Sequence, residues 1–222
     1  MVQASQHDAD TVLAGLNSGT DGLKDAQVNS ARETYGLNVV SESHAPSLPA
    51  TILGSFRNPF VLLLIVLAAI MVATNDHIGA STITVMVLIS VGLNTTQEYK
   101  ATRAAQALRA MVVATTTVIR QGKASEIPVA QVVPGDIIEL KAGDLIPADL
   151  RVVRVKDLTV SQSSLTGESR PQDKTAEPQD STDENLLHAR NVCFMGTSVL
   201  SGSGLGVVGT TGRNTYFGAM AR

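Results

Sequence analysis

Two long apolar segments interrupt an otherwise mixed pattern of polar and hydrophobic residues. Residues 60–74 are almost wholly apolar, and residues 78–93 carry no charge. Only Asn75, Asp76 and His77 separate them. As helices, the segments would be about 22 Å and about 24 Å long, somewhat short of the ~30 Å hydrocarbon core of a bilayer. The pattern predicts a helical hairpin that crosses a membrane twice; a hairpin buried inside a soluble protein is the alternative.

Basic residues lie at the outer ends of both apolar segments. Arg57 precedes the first segment, and Lys100, Arg103 and Arg109 follow the second. Because cytoplasmic flanks are enriched in Lys and Arg, both outer flanks are predicted to be cytoplasmic. We therefore expect a multi-pass protein of the cell (inner) membrane, embedded in the lipid bilayer, with its N-terminus in the cytoplasm. Good helix formers at residues 97–111 extend the second helix into a cytoplasmic stalk.

The N-terminal part of the chain is polar. Small and apolar residues between positions 21 and 37 recur at helical spacing, and Gly36 stands where such a helix would end. Residues 41–49 contain two prolines and are predicted to be a linker. These patterns divide the chain into three parts: a cytoplasmic N-terminal helical segment with its linker (1–47), a membrane hairpin with its stalk (48–112), and a third domain (113–222).

In the third domain the periodicity changes from helical to strand-like. Short β-rich runs alternate with turn signals, which is typical of a small antiparallel sandwich, jelly roll or barrel, so the fold class is α+β. The predicted strands are residues 116–120, 125–129, 137–140, 150–155, 158–162, 191–199 and 204–211. Lys156 and Asp157 are predicted to form a turn, and the Gly-rich residues 201–204 a hairpin turn. Residues 172–185 are predicted to be an exposed loop, and a further helix begins at Thr215.

Composition excludes several classes of function. The formal net charge of the 222 residues is −3, so no global basic field points to nucleic acid, and we expect none as a partner. Cys193, the one cysteine, cannot form an intramolecular disulfide, and its apolar neighbours predict a buried thiol. The four histidines lack metal-ligand spacing, so no metal site is predicted.

The segment Leu165-Thr166-Gly167-Glu168-Ser169 is the candidate functional site. It follows strand-like sequence and precedes a polar segment, which predicts a tight loop that presents one carboxylate, Glu168. Thr166 and Ser169 can hydrogen-bond the local backbone. Gly167 has no Cβ, so a phosphate or another backbone can come close. From these residues alone, a surface turn with a solvated Glu is the alternative.

Three motifs occur in order along the third domain. They are Pro134-Gly135-Asp136-Ile137-Ile138, Gly143-Asp144-Leu145-Ile146-Pro147-Ala148-Asp149 and Leu165-Thr166-Gly167-Glu168-Ser169. In this order and spacing they resemble the actuator domain of P-type cation-transporting ATPases, a small β domain with a distorted jelly-roll fold that follows the second membrane helix. The resemblance runs from about Gly22 to the C-terminus. Residues 56–60, 193–197 and 214–218 look most like the magnesium-translocating branch.

The resemblance implies a role for each residue of the candidate loop. Glu168 would be the catalytic base that orients a water and accepts its proton while an aspartyl phosphate, formed elsewhere in the pump, is hydrolysed. Gly167 would leave room for the phosphoryl oxygens, and Thr166 and Ser169 would shape the loop. The implied structural residues, which set the supporting hairpins, are Gly143, Asp144, Pro147 and Asp149.

The resemblance also implies partners outside this chain. A full-length pump of this kind uses ATP and Mg2+, and we expect no cofactor in this chain. Residues 173–176, Asp-Lys-Thr-Ala, imitate the family's phosphorylation motif Asp-Lys-Thr-Gly-Thr but lack its glycine. We therefore expect a fragment that cannot hydrolyse ATP alone, with the pump's phosphorylation and nucleotide-binding domains and the transported cation, Mg2+, as partners. A non-enzymatic membrane protein that binds or regulates a complete pump is the alternative.

Overall fold

The computed structural model describes residues 1–40, 59–111, 114–167, 170–180, 182 and 186–221, with only the backbone described for residues 106–111. The chain divides into two compact units. Met1–Glu42 and Ala114–Arg222 form one, called the β unit below, and Ser43–Val113 form the other, called the helical unit. The predicted linker at residues 41–49, Arg57 and the side chain of Arg109 lie outside the described residues.

Three helices belong to the N-terminal part of the β unit. They are α1 (Val2–Gln6), α2 (Ala9–Gly15) and α3 (Asp25–Tyr35). Helix α3 confirms the helix predicted within residues 21–37, and it ends just before Gly36. The sequence pattern does not predict α1 and α2, because they are too short to show a clear periodicity. Helix α2 begins after Asp8, whose carboxylate accepts a hydrogen bond from the Thr11 amide at 3.3 Å.

The described part of the helical unit consists of α4 (Pro59–Ala73) and α5 (His77–Met111), which contact each other. The continuous helix predicted through residues 78–111 is confirmed. Its residues His77–Ala105 are long and apolar enough to cross a membrane, whereas the apolar α4 is shorter, with 15 residues. Asp76 accepts a hydrogen bond from the Gly79 amide at 2.9 Å and so caps the start of α5.

Among the described residues, the β unit contains one antiparallel sheet of seven strands in the order β2-β1-β3-β7-β4-β5, with β6 also paired to β4. The strands are β1 (Thr115–Arg120), β2 (Lys123–Pro128), β3 (Ile137–Lys141), β4 (Asp149–Ser161), β5 (Gln172–Asp173), β6 (Val192–Cys193) and β7 (Ser198–Thr210). Two short helices, α6 (Ser163–Thr166) and α7 (Tyr216–Met220), follow β4 and β7. The predicted combination of helices and antiparallel sheet is confirmed, as is the helix that begins at Thr215.

Two predicted turns are wrong, because β4 and β7 continue through them. Lys156 and Asp157 lie within β4, and residues 201–204 lie within β7. The register between these strands shifts between Lys156 and Thr159, and Asp157 has φ +52°. Gly202 has φ +76°, and a Cβ on it would lie 2.0 Å from Asp157 O. The turn-forming residues therefore accommodate a β-bulge instead of ending the strands.

Two further segments differ from the prediction. Residues 172–185 are not simply an exposed loop, since Gln172–Asp173 form β5 against β4 and Lys174 is buried. Of the strand predicted at 191–199, only Val192–Cys193 and the residues from Ser198 onward are strands, and a turn at Gly196 separates them. In both segments, pairing with the distant β4 or β7 decides the structure, and sequence periodicity does not show that pairing.

The largest cluster of buried apolar side chains lies along β1, β3, β4 and β7. It includes Cys193, whose predicted burial is confirmed. A second cluster packs α2 against β3 and β7, and its buried members are Val12, Leu13, Ile137 and Val207. The N-terminal helices are therefore part of the same packed unit as the sheet.

A fully buried arginine on β4 connects α1 to the sheet. The guanidinium of Arg151 donates hydrogen bonds to the carbonyl oxygens of Ala4 at 2.7 Å, His7 at 3.1 Å and Ala176 at 3.0 Å. Burial lowers the pKa of Arg151 to about 10, so the side chain stays charged at neutral pH. Because a buried charge is costly unless it is hydrogen-bonded, these contacts restrict where the N-terminal segment can lie.

Gly202→Ala should destabilise the β unit, because the new Cβ would meet Asp157 O at 2.0 Å while the residue keeps φ +76°. We expect the free energy of unfolding to fall by about 3 kcal/mol or more, as measured by urea unfolding of the purified chain in detergent with circular dichroism. Gly143→Ala is the matched control. Its φ is +95°, but no atom lies within 4 Å of the new Cβ, so a loss of about 1 kcal/mol is expected. Equal losses in the two variants would contradict the close approach at Gly202.

Candidate functional site

The candidate loop begins as a single helical turn, α6, directly after β4. Gln162 is the N-cap residue, and its carbonyl oxygen accepts hydrogen bonds from the amides of Leu165 at 2.9 Å and Thr166 at 3.0 Å. The Thr166 hydroxyl donates to the same oxygen at 3.2 Å, which is the kind of local backbone contact that the sequence predicts. The turn is therefore held by its own backbone and by the Thr166 side chain.

Gly167 ends this turn in the left-handed conformation, with φ +73° and ψ −7°. Its amide donates to Ser163 O at 3.0 Å, and a Cβ built on it would have no atom within 4 Å. The space beside Gly167 is thus open within the described part of the chain. Glu168 and Ser169, the other two predicted site residues, lie outside the described residues. Of the four predicted site residues, the structure describes Thr166 and Gly167, which are the last residue of α6 and its C-cap.

Contacts with a neighbouring turn and with a hydrophobic cluster hold α6 in place. Ser164 Oγ donates to Gly196 O at 2.8 Å. Leu165 packs against a cluster whose buried members are Leu186, Ala189, Val192 and Phe194. The ring of Phe194 contacts that of Tyr216 in α7, with 5.4 Å between the ring centroids. Side chains from several parts of the β unit therefore position the turn from which the candidate loop continues.

Asp149, the last residue of the second motif, is buried at the start of β4. Its carboxylate accepts hydrogen bonds from the amides of Met195 at 2.9 Å and Tyr216 at 2.6 Å, and from the Thr210 hydroxyl at 3.3 Å. Burial raises the pKa of the Asp149 carboxyl, while these hydrogen bonds favour its ionised form. Asp149, at the start of β4, thus contacts β7, the turn at Met195 and the start of α7. Contacts of this kind are typical of a structural residue.

The other acids of the first two motifs also bind turns between strands. Asp136 is fully buried and forms an ion pair with Arg120, in which Nε lies 2.8 Å from Oδ1 and Nη2 lies 2.7 Å from Oδ2. Its Oδ2 also accepts a hydrogen bond from the Val133 amide at 2.9 Å. Asp144 accepts one from the Lys141 amide at 2.8 Å. Both carboxylates are therefore occupied by contacts within the β unit.

The sequence pattern assigns no role to Lys174 or Gln162, two buried polar residues that lie close to the loop. Lys174, expected in an exposed loop, is 5% exposed. Its ammonium donates to the carbonyl oxygens of Val192 at 2.7 Å and Ala189 at 3.2 Å. Burial lowers the pKa of this ammonium. A lysine in a polar run has the same sequence signal whether it is buried or exposed, so only the tertiary contacts reveal its burial.

The described residues contain no group of three or more His, Cys, Asp or Glu side chains that could hold a metal ion. Asp173, in the run that imitates a phosphorylation motif, is paired in β5. Its carboxylate accepts a hydrogen bond from the Thr159 hydroxyl at 2.9 Å. Its contacts are therefore those of a strand residue.

Asp149→Asn keeps the shape of the side chain but turns one acceptor oxygen into a donor, so the Met195 or the Tyr216 amide must then face an NH2 group. The free energy of unfolding should fall by about 1–3 kcal/mol, measured by urea unfolding as above. Asp157→Asn is the control, because Asp157 is exposed and Asn tolerates its φ of +52°. A loss no larger in Asp149→Asn than in Asp157→Asn would show that the Asp149 carboxylate does not join these segments.

Two protein-family models match this chain. The P-type ATPase actuator domain matches residues 110–222, a range that includes the candidate loop and the acids described above. The cation transporter/ATPase N-terminus matches residues 4–71. Together, the two matches cover nearly all of the β unit, and residues 43–71 and 110–113 of the helical unit.

Several P-type ATPases are similar to nearly the whole chain. The magnesium-transporting ATPase, P-type 1, of Escherichia coli strain K12 is 46% identical over 207 residues, which are 90% of this chain and 23% of that protein. The protein of the same name from Salmonella typhimurium strain 14028s is 43% identical over 218 residues, 96% of this chain and 24% of that protein. The probable cation-transporting ATPase F of Mycobacterium bovis is 37% identical over 203 residues, 90% of this chain and 22% of that protein. The chain thus spans about a quarter of the length of these relatives, and it belongs to the P-type ATPase family.

Proposed function

We propose that this chain forms the N-terminal region and actuator domain of a P-type ATPase that transports Mg2+. The observation that carries the proposal is the identity of 46% and 43% to magnesium-transporting ATPases over 90% and 96% of the chain. The relative at 37% identity is named only for cation transport, so the choice of Mg2+ rests on the two more similar proteins.

In the proposed reaction, Glu168 acts on the phosphorylated form of the pump. A water oxygen attacks the phosphorus of an aspartyl phosphate while the Glu168 carboxylate accepts a proton from that water. The bond between phosphorus and the aspartate oxygen breaks, which releases inorganic phosphate and regenerates the aspartate. A well-placed general base of this kind contributes typically about 100-fold to 10,000-fold in rate.

The described residues around the loop support this role. The open space beside Gly167 would admit phosphoryl oxygens close to the backbone. The Thr166 hydroxyl already holds the turn, and we assign Ser169 a similar part in shaping the loop. Ser164 and Leu165 attach α6 to the rest of the β unit. A loop supported in this way can present a side chain at a reproducible position, as general-base catalysis requires.

The other parts of the pump complete the proposed cycle. ATP and its Mg2+ would bind the phosphorylation and nucleotide-binding domains, which are the proposed partners of the actuator. Within this chain we assign residues 1–47 to a cytoplasmic segment, 48–112 to the membrane hairpin and stalk, and 113–222 to an actuator domain with a distorted jelly-roll fold. The match of the actuator family model to residues 110–222 supports the last boundary.

Helices α4 and α5 are proposed to cross the inner membrane as a hairpin. Large apolar side chains are exposed on both helices; they include Phe60, Leu62, Leu63, Val66 and Ile70 on α4 and Ile78, Met86, Leu88, Ile89 and Leu93 on α5. Apolar surface of this extent is stable in lipid and is unfavourable in water. The basic flanks favour a cytoplasmic location for both outer ends and for the β unit.

The proposed orientation predicts which residues an impermeant thiol reagent can reach. His77→Cys, at the first residue of α5, should be labelled in intact spheroplasts. Lys123→Cys, on β2, should be labelled only after the membrane is permeabilised. Both positions are exposed, and the native Cys193 is buried. Labelling of Lys123→Cys in intact spheroplasts would overturn the orientation.

Glu168→Gln tests the proposed chemistry, because the amide cannot accept the proton of the attacking water. We use a chimeric pump in which this chain replaces the matching N-terminal part of the Escherichia coli magnesium-transporting ATPase, P-type 1. After labelling with ATP and a chase with unlabelled ATP, loss of the acyl phosphate should be about 100-fold slower in the variant. A scan of divalent ions in the same assay identifies the cargo.

Glu126→Gln is the matched control for this substitution. Glu126 is exposed on β2, at the edge of the sheet opposite to β5, and its replacement should leave the decay unchanged. Normal decay in Glu168→Gln would remove Glu168 from the mechanism. If the folded, unsubstituted chimera forms no phosphoenzyme, the alternative function, binding or regulation of a complete pump, is favoured.

A further inference from the structure

Lys174 places a charged ammonium in the interior of the β unit. Its Nζ donates to Val192 O at 2.7 Å, to Ala189 O at 3.2 Å and to the Oε1 atom of Gln172. All three acceptors are uncharged. A methionine would fill a similar volume without the desolvation cost of a buried charge. We therefore expect the hydrogen bonds of the ammonium to have a role that an apolar side chain could not fill.

The side chains around this ammonium come from the two ends of the candidate loop. Gln162 is the N-cap of α6, and Gln172 begins β5 on the far side of the loop. In one orientation of the Gln162 amide, Oε1 lies 2.9 Å from Lys174 Nζ and 3.0 Å from Gln172 Oε1, and Nε2 donates to Leu187 O at 2.9 Å. In the opposite orientation, Nε2 donates to Gln172 Oε1 at 3.0 Å. Either orientation joins Gln162, Gln172 and Lys174 into one group, called the loop-base cluster below.

The loop-base cluster is attached to its surroundings on several sides. Gln172 Nε2 donates to His188 O at 3.0 Å, and the Lys174 amide donates to Leu158 O of β4 at 2.8 Å. The Gln162 carbonyl oxygen receives the hydrogen bonds that hold α6. Together with the backbone pairing of Val160 with Gln172, the cluster thus fixes the separation between the points where the loop leaves β4 and enters β5. A loop with fixed ends has fewer conformations than a free one, so the side chain it carries is placed more reproducibly.

We propose that Lys174 is a positioning residue for the actuator reaction: its ammonium holds Gln162 and Gln172 together and thereby fixes α6, the turn that precedes Glu168 in the chain. The catalytic consequence rests on the proposed function, whereas the structural role of Lys174 can be tested on this chain alone. Displacing a general base by about 1 Å is enough to cost on the order of 100-fold in rate. A lysine that never touches the phosphate can therefore still control the reaction.

Hydrogen–deuterium exchange of the 222-residue chain in detergent tests the structural role without any activity. In Lys174→Met, the amides of Leu165 and Thr166 should exchange about 10-fold faster or more, because hydrogen bonds to a charged group are lost. Exchange in β1 and β3 should stay unchanged. Lys123→Met, at an exposed lysine on β2, is the control and should alter neither region.

Gln162→Met provides a second variant in case Lys174→Met fails to fold. It removes the link from the ammonium to α6 but leaves Lys174 its carbonyl partners Val192 and Ala189. The core around Lys174 should therefore survive, while the amides of α6 should again exchange about 10-fold faster. Unchanged exchange at α6 in a folded variant would overturn the structural role of the cluster.

The chimeric pump tests the catalytic consequence. Lys174→Met and Gln162→Met should slow the decay of the phosphoenzyme about 10-fold or more, with its formation from ATP unchanged. In the Glu168→Gln background, Lys174→Met should add no further slowing, because a positioning residue acts only through the base that it positions. A residue needed merely for folding would impair formation and decay together.

The outcomes separate this proposal from the proposed function. Normal phosphoenzyme decay in Lys174→Met, with α6 loosened, would overturn the positioning role while Glu168 remains the base. If Glu168→Gln itself decays normally, or if the unsubstituted chimera forms no phosphoenzyme, the proposed function fails. The exchange experiment then still decides whether the ammonium fixes the loop.

Discussion

The pairing of β4 with β7 is the constraint on which the β unit depends. Each strand has 13 residues, and the two pair along most of their length. Strand β3 adds to β7, while β5 and β6 add to β4, so the order of the sheet follows from this pair. The bulge at Asp157 and Gly202 allows such long strands to stay paired while the sheet twists. The candidate loop lies where it does because it leaves one end of β4.

Buried polar side chains connect the peripheral segments to this pair of strands. Arg151 binds α1, and Asp149 binds the turn at Met195 and the start of α7. Lys174 binds Gln172, at the end of the candidate loop, and the carbonyl oxygens of Ala189 and Val192. Each of these groups loses water on burial and must find partners in the protein. Hydrogen bonds are directional, whereas apolar contacts are not. The polar contacts therefore restrict the positions of these segments more closely than the hydrophobic clusters alone would.

This construction suits the proposed function. A pump must hydrolyse its aspartyl phosphate at one stage of the transport cycle, so the base has to approach the phosphate and withdraw again. A base held rigidly within its domain can do so when the whole domain moves, because its local geometry is already set. The contacts of Ser164, Leu165 and the loop-base cluster hold α6 in place, and no described residue lies within 4 Å of a Cβ built on Gly167.

Features that leave a local pattern in the sequence can be predicted without the structure. The apolar α4 and α5, the helix α3 and the strands β1 to β3 follow from composition and periodicity. The resemblance to the family depends on three motifs in order, at residues 134–138, 143–149 and 165–169. Features that depend on residues far apart in the sequence can be recognised only in the tertiary structure. Residues 156–157 and 201–204 carry ordinary turn signals, and only their mutual pairing makes them a bulge. Lys174 becomes buried only because residues 186–193 fold over it, since burial depends on neighbours that a local pattern does not contain.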